Sequence, residues 1–336
     1  MVTIAVAASG SPVASEDLDR RARLVGRMVA ELGCDLLTGG GFGAMEIVAR
    51  SFCETPGRSG RSIGVIPGEV TGFASATVGR ITKYTLTPKV PYPNPWIEVP
   101  IFTHLPGADP KGAASRNILN MASGDVIVIL PGARGTQAEF EIAAGLGKHV
   151  IAFVGRGDRI GGYTVNGLRP HAEIVDDEGT LCDVLREKLL PLSLPKPTYT
   201  KLRSVYKTSP TEIHSCSMQF PNTCAIRMSE ALTQVVTGIK DKFKTGGVNL
   251  CPHDYVRGAE DLAGVLRKAE VFGLYDHGFS NPGSPPSSVD GKQGLVAYIN
   301  VPGFPGQGHI DLWDGTAPAG EAYWNADPIW FWKLDH

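Results

Sequence analysis

The chain has 336 residues, of which 42% are hydrophobic and 20% charged, with a formal net charge of -2. That length exceeds one ordinary core, so two domains are expected, and the composition is that of a soluble globular protein. Near-zero charge removes the electrostatic case for nucleic acid or an anionic membrane surface as partner, and no apolar run approaches the length of a membrane span.

Val2 to Ala8 is apolar and reads as a strand. It is short, lacks a charged leader and runs into Gly10, Ser11 and Pro12, so it does not read as a signal peptide. Ser15 is placed to cap a helix to about Leu32, with Leu18, Val25, Met28, Val29 and Leu32 on one face. Asp35 to Thr38 is a second strand and Gly43 to Phe52 a helix. Ser62 to Pro67 and Ile97 to Thr103 are strands. Lys111 to Ala122 is a helix and Asp125 to Leu130 a fully apolar strand. Thr136 to Gly147 is a helix, His149 to Val154 a strand and Thr180 to Leu190 a last helix. Alternating βα units predict a doubly wound, Rossmann-like parallel sheet covered on both faces, with ligands at the carboxyl ends of its strands.

Two glycine-rich turns fall at such strand ends. One is TGGGFGAM, with Gly40, Gly41, Gly43 and Met45; the other is LPGARGTQAEFEIA, with Gly132, Gly135 and Thr136. Glycines let the backbone approach a ligand, and a following helix offers free N–H groups to a phosphate. Glu139 lies on the second of these helices and Arg116 on the helix before the intervening strand. A carboxylate and a guanidinium at that crevice suit a ribose phosphate: the Arg holds the phosphate, and the carboxylate stabilises an oxocarbenium-like centre or activates water. The same two residues also fit a plain helix-end ion pair.

Helical periodicity stops at PLSLPKP, and residues 191–198 read as a proline-stiffened linker between a domain of residues 1–190 and one of residues 199–336. The second half is richer in aromatics and Gly/Pro turns. Phe220 to about Lys242 holds a helix, Val256 to Ala269 an amphipathic helix, and Asn281 to Asp290 a loop. Gly294 to Val301, His309 to Trp313 and Ile329 to Lys333 are strands, which gives an α+β domain. The tryptophans Trp313, Trp324, Trp330 and Trp332 read as core. Six cysteines show no CxxC pair and no zinc-like spacing, so neither a metal nor a cofactor is expected. Cys216 and Cys251 could pair if the second half reaches an oxidising compartment, though connectivity is not readable from sequence.

Within FPNTCAIRMSEAL, Pro221 holds the chain out of helix, and Asn222 or Thr223 can cap the helix that follows. Cys224 then sits in the first turn, where the dipole favours the thiolate. The base that such a nucleophile needs is offered by His309 in GQGHIDLWDG. A small buried hydrophobe is the alternative reading of Cys224. Gln219 or Asn222 can supply an oxyanion donor beside the Cys224 N–H. Asp311 is two residues along the strand from His309 and so shares its face, while Asp314 reads as a turn residue.

The segments GGGFGAM, SRNILNMASGDVIVILPGARGT and TQAEFEIAAGLGKHVIAF resemble the LOG, or lysine-decarboxylase-like, family and its PGGxGTxxE motif. The likeness covers about Met1 to Leu190. It implies a phosphoribohydrolase that cuts nucleoside 5′-monophosphates to free base and ribose 5-phosphate, with Arg116 and Glu139 as catalytic residues and a homodimer as assembly. The chain departs from the pattern at Ala133, in place of the second glycine, and at ASRN, in place of HERK around Arg116. A nucleotide sensor without chemistry is the other reading of this half.

FPNTCAIRMSEAL together with GHIDLWDG resembles the type VI secretion amidase effector family 4, related to the papain-like NlpC/P60 peptidases. The match spans about Tyr199 to His336. It implies hydrolysis of the D-glutamyl–meso-diaminopimelate bond of peptidoglycan stem peptides, Cys224 as nucleophile and His309 as base. It also implies an acidic residue on the strand after the His, with spacing that leaves Glu321, Asn325 and Asp327 open; Glu321 is taken. Secretion machinery and an immunity protein are the implied partners. The producer is expected to hold the chain in its cytoplasm and pass it by a non-classical route to the target periplasm.

Overall fold

A computed structural model describes residues 2–13, 15–78, 81–105, 115–209, 216, 220 and 222–335, with side chains outside 70–85. Two compact units form, Met1–Leu192 and Ser193–His336.

The first unit runs β1 (Thr3–Ala7), α1 (Glu16–Glu31), β2 (Asp35–Thr38), α2 (Ala44–Glu54), β3 (Ser62–Val78), β4 (Ile81–Pro88) and β5 (Val99–Thr103). It continues through α3 (Arg116–Ser123), β6 (Val126–Ile129), α4 (Arg134–Gly145), β7 (His149–Phe153), the short ribbon β8 (Arg159–Ile160) and β9 (Tyr163–Thr164), α5 (Val165–Leu168), β10 (Glu173–Val175) and α6 (Glu178–Leu189). The eight-stranded sheet has the order β10-β7-β6-β1-β2-β3-β4, with β5 also on β3. Its pairings are parallel except that of β3 with β4. Crossover helices cover both faces, so β1 and β6 carry apolar side chains at nearly every position, and VIVI of β6 is buried throughout.

Local chemistry sets the helix ends. The Ser15 side chain accepts from Leu18 N, and Glu16, Asp17 and Asp19 face the positive end of α1. α1 and α2 cross closely because residue 26 is glycine: a Cβ there would lie 2.2 Å from Val48 O. The long β3 and its partner β4 go beyond the strand expected at Ser62 to Pro67. The run GEVTGFASATV has strand-forming residues but no clean alternation, so periodicity could not reveal it. Residues 111–114 of the helix expected from Lys111 lie outside the described residues.

The second unit holds α7 (Tyr199–Val205), α8 (Cys224–Val235), α9 (Ile239–Thr245), α10 (Ala259–Leu266), β11 (His277–Phe279), β12 (Gly294–Ile299), β13 (Gly308–Trp313) and β14 (Ile329–Lys333). The strands form a sheet of order β11-β14-β12-β13, all antiparallel. Leu295, Ala297, Ile299, Ile310 and Leu312 pack with α7, α8 and α10 in one core, while Val296, Tyr298, Trp313 and Trp324 fill a second. The tryptophans expected in the core are buried there. One helix was expected through Lys242; instead α8 stops at Val235, and Gly238, with φ 84, turns the chain into α9. The helix expected from Val256 begins at Ala259, because Val256 pairs with Leu250 in a β-bridge.

Candidate active site

Cys224 is the first residue of α8. Thr223 occupies the N-cap position, as the sequence allowed, but its side chain does not cap. Its Oγ1 accepts from Arg227 Nε at 3.3 Å, and Arg227 also donates to Lys207 O at 2.7 Å. The positive end of α8 is thereby left for the Cys224 sulfur. β13 is the edge strand of its sheet, so it has backbone N–H groups that no neighbouring strand takes. One of them, Ile310 N–H, hydrogen-bonds Cys224. Alternation along β13 sends Ile310 and Leu312 to the helix core and puts His309 and Asp311 on the opposite face.

His309 is 6% exposed and Asp311 1%. His309 Nε2 lies 3.4 Å from Asp311 Oδ2, which leaves Nδ1 to serve the thiol. Tyr298, its cross-strand partner, stacks on the imidazole at 6.3 Å, and Tyr323 meets it edge-on at 5.2 Å. The ring is therefore fixed on both sides. Asp311 is fixed too: Oδ1 accepts from Leu312 N at 2.7 Å, and Oδ2 from Gly320 N at 2.9 Å and Glu321 N at 2.7 Å.

Burial works against ionising Cys224, but the hydrogen bond and charge of His309, aided by the Ile310 and Ala225 N–H groups, outweigh it and hold the thiol below its usual range. Burial likewise lowers His309, yet Asp311 and Cys224 together push it up to about 9. Both shifts favour a thiolate–imidazolium pair. Two clefts of about 390 and 370 Å³ meet at Cys224 and share Asn222 and Phe304. Arg227, His309 and Glu321 border the first. Arg257, stacked on Phe220 at 4.4 Å, borders the second.

The carboxylate beside His309 is thus Asp311, and this moves the expected third residue away from Glu321. The Glu321 side chain is exposed and accepts from the Tyr323 hydroxyl at 2.5 Å; only its backbone N–H supports the site. Asn325 and Asp327 are exposed as well. The period-2 signal pointing to Asp311 was present in the sequence. Tyr298 and Tyr323 were not identified there, because their placement depends on strand register. Asn222 is at the site, and Gln219 lies outside the described residues.

In the first unit a cleft of about 280 Å³ is bordered by Met45, Tyr92, Arg116, Gly135, Thr136 and Glu139, among others. Arg116 opens α3 and is 5% exposed. Its Nη1 donates to Gly39 O and, at 2.9 Å, to Val65 O, and its guanidinium lies 5.2 Å from the Tyr92 ring centroid. A Cβ at residue 39 would collide with that guanidinium, so the first glycine turn makes room for Arg116. Gly41 packs on Met45 and Tyr92, Gly40 on Ile66, Gly43 on the Ser9 and Ser11 carbonyls, and Gly132 on Thr136. Burial pushes Glu139 up to about 7, against the pull of the Arg116 charge and the Asn120 amide. Of the residues predicted for this half, Met45, Arg116, Gly135, Thr136 and Glu139 border the cleft, whereas Gly40, Gly41, Gly43 and Gly132 do not line it. Among the described residues no helix is long and apolar enough to cross a membrane.

Residues 1–174 match the family described as SLOG cluster4, and residues 220–332 match the type VI secretion system amidase effector protein 4. No curated protein matches the chain. Among solved structures, the molybdenum cofactor carrier protein of Chlamydomonas reinhardtii is 21% identical, over 56% of this chain and 98% of its own, with a TM-score of 0.40. The molybdenum cofactor binding protein of Rippkaea orientalis is 19% identical, over 55% and 96%, with a TM-score of 0.41. The effector–immunity complex Tae4–Tai4 of Enterobacter cloacae gives 20% identity, over 42% and 100%, with a TM-score of 0.33. The first match spans just over half of the residues, and the second takes in both Cys224 and His309. The chain belongs to the SLOG cluster4 family and carries, C-terminal to that LOG-like domain, an amidase effector protein 4 domain of the type VI secretion system.

Proposed function

We propose that the second unit hydrolyses the D-glutamyl–meso-diaminopimelate amide of peptidoglycan stem peptides, with Cys224 as nucleophile. The observation that carries this reading is the buried Cys224–His309–Asp311 arrangement, in which the thiol is lowered and the imidazole raised. The thiolate attacks the amide carbonyl, and the Cys224 N–H at the start of α8, with Asn222, steadies the oxyanion. The imidazolium gives its proton to the departing diaminopimelate amine. Water, deprotonated by His309, then releases the D-glutamyl acid from the thioester and restores the thiol. Asp311 keeps Nε2 engaged and stabilises the positive ring. Arg257 offers a charge for a stem-peptide carboxylate in the second cleft.

A wall amidase acts only where peptidoglycan is, so the target periplasm is the proposed site of action, reached through the secretion machinery and countered in the producer by an immunity protein. Expression in a Gram-negative host tests this. A form with an added export signal should lyse the host, dependent on Cys224 and His309 and independent of Glu139. Toxicity of the cytoplasmic form that Glu139→Ala relieves would overturn it.

A second reading concerns the first unit and rests on Arg116 and the raised Glu139 at one cleft. That cleft binds a nucleoside 5′-monophosphate, with the phosphate between Gly132–Thr136 and Arg116, and Glu139 poised for N-glycosidic hydrolysis; dimerisation would go with this half. Titration calorimetry with a panel of monophosphates tests it. Absence of heat at millimolar ligand for every base would reduce the glycine turns to a structural role.

A further inference from the structure

Three side chains that the amidase chemistry does not use converge behind α8. Ligand atoms of Cys216, Cys251 and His253 all lie within 4.8 Å of one another, with Cys216 Sγ 2.9 Å from His253 Nδ1. Two of the donors sit on one tight loop. Leu250 bridges to Val256, Cys251 N donates to Tyr255 O at 2.8 Å, and Asp254 N to Cys251 O at 2.9 Å. The His253 N–H also points at Cys251 Sγ, at 3.4 Å. Cys216 and Cys251 are 3% and 4% exposed and pack on Ile226, two residues beyond the nucleophile, while His253 is exposed.

This donor set is chemically selective. Two thiolates and an imidazole suit a borderline-soft ion and lack the oxygen ligands that calcium or magnesium requires. The adjacent carboxylate, Asp254, is turned to Lys240 and Lys244 at 3.7 and 3.2 Å. Two thiolates balance the charge of one divalent cation, which makes ionisation of both buried sulfurs affordable. Tetrahedral Zn–S and Zn–N bonds of about 2.3 and 2.0 Å separate sulfur and nitrogen by roughly 3.5 Å, so the Cys216–His253 pair needs to open only slightly.

We propose that Cys216, Cys251 and His253 bind one zinc ion, with its fourth position open to water. The ion ties Cys216 to the loop 250–256 over Ile226 of α8 and so steadies Cys224 without touching substrate. The binding is a ligand exchange: each thiol releases a proton as its sulfur takes up the metal.

The test uses the full-length protein, reduced and stripped of metal. Native mass spectrometry after addition of zinc should show one ion per chain. Cobalt(II) added in its place should give a thiolate-to-cobalt charge-transfer band. Both signals should vanish in Cys216→Ser and Cys251→Ser and persist in Cys224→Ser. His253→Ala, an exposed change that spares the core, should weaken zinc binding at least tenfold. The proposal is overturned if the reduced protein takes up no zinc at micromolar concentrations, or if uptake is unchanged in Cys251→Ser and His253→Ala. It is also overturned if the protein carries a Cys216–Cys251 disulfide, lighter by two hydrogens, and stays metal-free after reduction.

Discussion

At the scale of single residues the reactive pair is defined by opposed shifts. The thiolate–imidazolium form exists between the lowered Cys224 value and the His309 value of about 9. Hydrolysis should therefore show an acid limb set by Cys224, below the usual thiol range, and an alkaline limb near 9, read from the pH profile of kcat/KM. Asp311→Asn removes the charge that helps hold the imidazolium, so kcat should drop and the alkaline limb should move below 9; Glu321→Ala should leave both nearly unchanged. Cys224→Ala should lower the rate by at least about a thousandfold with little change in the thermal midpoint. Helix-start chemistry marked Cys224 and GQGHIDLWDG marked His309 as candidates, and the family resemblance gave them their roles. Asp311 was legible as the residue two along from His309, but analogy favoured a later acidic residue. What analogy could not supply is the set of backbone N–H bonds from Gly320 and Glu321 that fixes Asp311.

Among the elements, β13 and α8 build the site together. β13 hides Ile310 and Leu312 against the helices and turns His309 and Asp311 to the other face. Leu312→Ala should cost about 2–5 kcal/mol in denaturant unfolding and lower activity with it, since the strand that loses packing also carries the base. These elements were readable because alternation on β13 and the Pro-then-helix pattern before α8 are local signals. The break at Gly238 was not, since an isolated glycine in a helical pattern is usually tolerated. The Cys216, Cys251 and His253 cluster was invisible for another reason. Its donors are not at zinc-finger spacing, and only the bridge between Leu250 and Val256 turns the loop toward Cys216.

On the scale of the whole molecule, each of the two compact units carries its own candidate site, at Cys224 in one and beside Arg116 and Glu139 in the other. The parallel sheet of the first was legible from βα alternation, whereas the β3–β4 ribbon, without periodicity, was not. Glu139 gives this unit a pH signature. Its folded value of about 7 stands above the usual carboxyl value of 4.5, so between these values the folded state holds a proton that the unfolded state has lost. Stability of this unit should fall as pH rises from 4.5 to 7 and level off above it. Glu139→Gln should flatten that dependence in thermal unfolding.

Whether the second unit acts as a cysteine amidase on the peptidoglycan stem can be read on defined muropeptides. Tetrapeptide-bearing fragments are incubated with the full-length protein and with Cys224→Ala, and the products are read by mass spectrometry. The wild-type protein should leave a free diaminopimelate amine and a new D-glutamyl carboxylate, and Cys224→Ala should leave the fragments intact. Fragments left whole by the wild-type protein, or cut equally by Cys224→Ala, would contradict this assignment.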